Sequence, residues 1–326
     1  MKLRTIVILG GILIAGSLSA QTMTDVINEF NAGVEKVNSQ EYDASLEHFN
    51  QVIAMAKTVG DSAAELKTNA ENLIPASYYK QALLFLKRKQ YDNAIPYLEK
   101  TIETASQFNN NEESSEKAGK YLMQSYLMEG QRSYKNGTFE VSLAYYDKAL
   151  ALNEELYQAH LGKGMVFKEM DEITPMLEEF AMAKTGALDS NDTKTVETIN
   201  QAVDGYYNDM IKDEFDAIDP EEPAYDYVME ACEKALSANP DNARAYYYRA
   251  AIYNKKIEYD QAIEASLKGL ASETDPVWIS ALNFELGSAF QNTAEYDKAC
   301  ETFQKVVEEP FLSSAEKKMG SIPGCN

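Results

Sequence analysis

Five segments of this chain repeat one arrangement, and that repetition constrains the fold more than any other feature. "EYDKACETFQKVV" at Glu295 to Val307 has relatives in "EYDQAIEASLKGL" from Glu258, "TFEVSLAYYDKAL" from Thr138, "QYDNAIPYLEKTI" from Gln90 and "EYDASLEHFNQVI" from Glu41. Each opens on an aromatic residue (Tyr42, Tyr91, Phe139, Tyr259, Tyr296) with a small residue three positions later (Ser45, Ala94, Ser142, Ala262, Ala299). In the last copy Tyr296, Ala299, Phe303 and Val306 are spaced three, four and three, which places them on one face of a helix. Upstream, Leu286 and Phe290 lie four apart and share a face of another helix. The spacing predicts helices over Asn283 to Asn292 and Glu295 to Val307. The turn "NTAE" between them suits only an antiparallel pair, with Gly287 and Ala299 where the backbones come closest.

These positions resemble the tetratricopeptide repeat family. The last copy fits that pattern at Leu286, Gly287, Phe290, Tyr296, Ala299 and Phe303; the copy before it fits at Tyr246, Ala250, Tyr253, Tyr259 and Ala262. Two degenerate copies follow the same order, one with Gly164, Phe167, Phe180 and Ala183, the other with Tyr225, Ala235 and Pro240. The resemblance implies an all-α fold: a right-handed superhelical solenoid of about seven antiparallel helix pairs, with a concave face lined by the first helix of each pair. The step from Ala262 to Ala299, 37 residues, stays near the family period of about 34. The steps Ser45 to Ala94 and Ala94 to Ser142 are 49 and 48 residues, which predicts lengthened helices with longer connections. Asp213 to Pro223 reads as an acidic loop, and Leu188 to Thr195 as a break between two sets of repeats. The expected layout is a leader at 1–20, repeats over 21–187 and 188–308, and a tail at 309–326. That tail predicts no full helix to cap the last pair, leaving an end free to stack on another molecule.

Charge excludes some functions. The 326 residues hold 30 Lys plus Arg against 52 Asp plus Glu, a net of -22, so the chain repels phosphate backbones and anionic membrane surfaces. The start, "MKLRTIVILGGILIAGSLSA", has a basic opening, an apolar stretch of signal-peptide length and small residues before the expected cut. No Cys follows that cut, so the expectation is an exported protein without a lipid anchor, in the periplasm of a Gram-negative bacterium. In such a compartment Cys300 and Cys325 form a candidate disulfide, and the alternative is Cys300 as a buried thiol.

Catalytic and cofactor patterns are sparse. His48 and His160 are the two histidines and neither sits in a metal-ligand spacing. No phosphate-cradling glycine loop or nucleophile elbow occurs, and the acidic residues Asp213, Asp216 and Asp219 lack the spacing of a calcium loop. The expectation is a protein with no enzyme activity, no cofactor and no metal, whose partner is a protein or peptide. In the repeat register, inward positions fall at Tyr79, Leu127, Tyr247 and Phe284, with Tyr134, Asn254, Lys87, Lys135 and Lys255 further along that face and Arg244 beside it. Aromatic rings there give contact area with few rotors, and the cations suit carboxylates of a peptide. Two readings result: a scaffold that takes a peptide or partner protein in an aromatic groove, and a structural subunit of an envelope assembly that binds through its convex face or its ends.

Overall fold

The computed structural model describes residues 22–108 and 112–325, so the expected leader and its cut lie outside the described residues. Among these residues the chain forms fifteen α-helices and one 3-10 turn, with no strand. It divides into two compact units that meet between Glu172 and Ile173. The first holds α1 (Met23–Asn38), α2 (Tyr42–Val59), α3 (Ala64–Lys87), α4 (Tyr91–Gln107), α5 (Glu112–Lys135), α6 (Phe139–Leu152) and α7 (Tyr157–Glu169). The second holds α8 (Ile173–Asp189), α9 (Thr193–Asp216), α10 (Tyr225–Ala238), α11 (Ala243–Lys255), α12 (Tyr259–Ser272), α13 (Pro276–Asn292), α14 (Tyr296–Phe303) and α15 (Phe311–Met319).

Within each unit successive helices pack on each other, and the first helices of neighbouring pairs also touch, so α1, α3, α5 and α7 form one layer and α9, α11 and α13 another. The all-α architecture of paired helices is as expected. So are the lengthened members: α3 and α5 each run 24 residues and account for the two long steps.

The pairing is fixed at two points. One is the turn. Gln40, Lys89, Gly137, Asp171, Ile257 and Ala294 all adopt left-handed φ of 57–73°, each two residues before a helix begins. After each of them, the next amide donates back to a carbonyl five residues earlier, as Glu258 N does to Tyr253 O at 2.8 Å. The other is a glycine–ring contact. A Cβ on Gly33 would lie 2.7 Å from the Phe49 ring, and one on Gly287 would lie 2.8 Å from the Phe303 ring. In both pairs the ring comes sixteen residues after the glycine and is fully buried. Ala82 and Leu98, at the same separation, are fully buried in one cluster.

Four expectations need correction. The stretch Leu188 to Thr195 is no loose break: α8 and α9 are joined by a tight turn with Asn191 left-handed at φ 56°, and Asp192 N donates to Ala187 O at 2.8 Å, as in the hairpins. The division between units falls earlier, at the turn between α7 and α8. The acidic segment from Asp213 is helical through Asp216, because one face of α9 is anchored by buried Tyr207 and Ile211; the loop is confined to 217–224. In the last pair α13 starts at Pro276, seven residues before the expected Asn283, with Asp275 as its N-cap, and α14 stops at Phe303 rather than Val307. Finally, the last pair is capped. Helix α15 packs on α13 and α14, burying Ala315 beside Phe303 and Val306, with Ile322 closing the cluster. The candidate disulfide is present: Cys300 and Cys325 are joined, with Cα atoms 5.6 Å apart. Cys232 is free and buried, and burial pushes its thiol up to about 12.

Candidate functional site

The expected inward residues sit on the first helices of their pairs, but the two units treat them differently. In the first unit Tyr79 (α3) faces Tyr121 (α5), with ring centroids 6.2 Å apart. Tyr79 is half-buried and Tyr121 is 38% exposed, so the pair keeps an open side. Burial raises the Tyr79 phenol, Tyr121 and Glu113 add to the rise, and Lys117 opposes it. Leu127 packs against the core of this unit and contributes less open surface. Tyr134 stacks near Phe139 at 6.3 Å and its hydroxyl donates to Glu169 Oε1 at 3.4 Å. Lys87 and Lys135 end α3 and α5, where a cation meets the negative end of the helix dipole. Both are exposed and form no salt bridge among the described residues.

In the second unit the corresponding aromatics turn inward on one another. Tyr247 (α11) lies 5.0 Å from Tyr248, 5.3 Å from Trp278 and 6.0 Å from Phe311. Phe284 (α13) meets Phe303 at 6.1 Å and Phe311 at 5.9 Å. Arg244 lays its guanidinium 4.7 Å over Trp278, a cation–π contact rather than a free anion grip. Asn254 Nδ2 donates to the backbone oxygen of Glu285 at 2.9 Å and to its Oε2 at 2.7 Å. Lys255 sits 5.9 Å over Phe215. Burial raises the Glu285 carboxyl, against the pull of Asn254, Lys318 and Lys255.

Five residues that shape these surfaces escape the repeat register: Tyr121, Trp278, Glu285, Phe311 and Lys318. The single Trp, two positions after a helix-opening Pro, was the clearest available signal of a packed centre. No group of three or more His, Cys, Asp or Glu side chains able to hold a metal ion occurs among the described residues. No described helix is long and apolar enough to cross a membrane.

Family models described as tetratricopeptide repeat match residues 76–107, 231–264 and 281–310. These three stretches match tetratricopeptide repeats and together span less than a third of the chain. Proteins built from such repeats generally mediate protein–protein interactions. Among curated proteins, the chain is 22% identical over 293 residues to the TPR repeat-containing protein MJ1428 of Methanocaldococcus jannaschii, covering 88% of this chain and 44% of that protein. It thus spans less than half the length of that relative. Among solved structures it aligns with the MamA protein at 21% identity and TM-score 0.33, over 61% of this chain and 94% of that one. It also aligns with the TPR2AB domain of yeast Sti1 in its pHSP90 complex, at 17% identity and TM-score 0.34, over 91% and 94%. The matched stretches cover the end of α3 with α4, the end of α10 with α11 and the start of α12, and most of α13 with α14; outside them, the α1–α2 and α5–α6 pairs carry the same left-handed turn.

Proposed function

We propose that this protein is a non-catalytic scaffold of the cell envelope that holds a peptide or a segment of a partner protein along the first helices of its first unit. The observation that carries this reading is the half-open Tyr79–Tyr121 pair, with Lys87 and Lys135 unpaired at the ends of the same two helices. Rings with an open side offer contact area, and unpaired cations offer a grip on carboxylates. A ligand with an apolar residue followed by an acidic group or a free C-terminus fits that arrangement. The leader-like start supports export, and the acidic surface supports a partner that is not nucleic acid.

Panning the full-length mature protein against a random peptide display library tests the reading. Selected peptides should share an apolar–acidic pattern, and Tyr79→Ala combined with Lys87→Glu should weaken them at least roughly tenfold with unchanged helicity by circular dichroism. Undiminished binding would remove the first unit as the docking surface. Fractionation of cells expressing the full chain tests export; accumulation in the cytoplasm without shortening would refute it. The alternative, a structural subunit that stacks through a free array end, loses its motive at the C-terminal end, because α15 already covers the last pair.

A further inference from the structure

In the second unit α8, α9 and α10 enclose a cleft of about 650 Å³. Small-molecule sites commonly fall between roughly 300 and 1,000 Å³, so the volume suits a compact ligand. Its sides differ in character. Helices α8 and α9 supply an apolar wall and floor, chiefly Phe180, Ile199 and Val203, while α10 supplies Glu230, Glu233 and Lys234.

The cations of the cleft are already engaged. Lys184 Nζ donates to the Ala238 carbonyl at the C-terminal end of α10, at 3.2 Å, and feels the half-buried carboxylate of Asp204. Lys234 is paired with Glu230 at 2.8 Å. Two acceptors are not satisfied in this way. Glu233 lies exposed at the edge of the cleft and forms no salt bridge among the described residues. Asn200 Oδ1 is buried and has no hydrogen-bond partner. A buried acceptor left unfilled costs about 1–3 kcal/mol, so a ligand that brings a donor gains from meeting it.

We propose that this cleft binds a small cationic amphiphile: a primary amine on an apolar body, the ammonium group directed to Glu233 and Asn200 and the body laid on Phe180 and Val203. The net charge of -22 raises the local concentration of such a cation and opposes an anion of the same shape. This site is separate from the peptide surface on the first unit and stands or falls without it.

The probes are 4-phenylbutylamine and 4-phenylbutyrate, which share one body and carry opposite charges. Calorimetric titration of the full-length mature protein at low salt should show saturable binding of the amine, with the acid roughly tenfold weaker or silent. Glu233→Gln should weaken the amine roughly five- to tenfold. Ala181→Phe, placed on the α8 wall, should abolish binding by filling the cleft, and Ser237→Trp should do so from the α10 wall; a retained thermal transition in either variant shows that the fold survives. Equal binding of the two probes, unaltered amine binding in a folded cleft-filling variant, or no binding at low-millimolar amine would overturn the proposal.

Discussion

Tyr79 and Tyr247 occupy equivalent positions in the repeat, yet one lines an open pair of rings and the other lies in a ring cluster. Tyr79 has Tyr121 as its ring neighbour, while Tyr247 has Tyr248, Trp278 and Phe311 around it. The difference arises from what the chain supplies next. After α11 come Trp278 on α13 and then Phe311 on α15, and both lean on the ring of Tyr247. A position in a repeat is therefore not a role: the same register yields a two-ring pair in one unit and a four-ring cluster in the other.

Replacing each tyrosine sharpens that contrast most. Tyr247→Ala should cost about 3 kcal/mol of stability, in the range for loss of a packed aromatic, whereas Tyr79→Ala should cost about 1 kcal/mol and act mainly on partner binding. Urea denaturation of the two variants measures this, and equal losses would break the comparison. The second largest effect concerns the tail. Cys300→Ser opens a loop of 25 residues, for which chain entropy predicts about 3 kcal/mol less stability. The loss should be confined to the second unit, so hydrogen exchange in α13 to α15 should quicken while α1 to α6 remain unchanged.

A pH experiment addresses the buried carboxyl beside Asn254. Burial holds the folded-state pKa of Glu285 above its unfolded value, so its favourable contribution is complete at acid pH and is lost as pH rises through the folded value. Glu285→Gln should therefore melt higher than the parent at pH 7, and the gap should close as pH falls toward about 4. A constant gap would mean that Lys318 and Lys255 already neutralise the carboxylate. The smallest effect is at a turn: Ile257 holds a left-handed φ of 65° while 71% exposed, so Ile257→Gly should stabilise by about 1 kcal/mol.

The helix pairs were legible because their apolar spacing is local. Tyr296, Ala299 and Phe303 define a face without reference to anything distant, and all but the leading aromatic are buried. The capping helix was not legible. Its nine residues carry too few periodic positions to be read alone, and its stability rests on Ala315 and Phe311 meeting partners on other helices. The acidic end of α9 misled for a related reason: its solvent face carries Asp213, Glu214 and Asp216, while the residues that hold it, Tyr207 and Ile211, come earlier. Of the candidate surface, the repeat register put Tyr79 and Lys87 on the first helix of a pair, and there Tyr79 is half-buried and Lys87 exposed. It could not show that Trp278 would cover Tyr247, because that contact joins residues 31 apart on different helices.

The sixteen-residue interval between a small inner residue and its ring bears on how this protein can vary in length. Adding or deleting a residue inside a hairpin would swing the ring off its glycine by about 100° around the helix axis. Growth is therefore channelled upstream of that interval, into the lengthened N-terminal parts of α3 and α5, where the 49- and 48-residue steps place their surplus. A foreign peptide or reporter spliced in upstream of such an interval would leave the glycine–ring contact undisturbed.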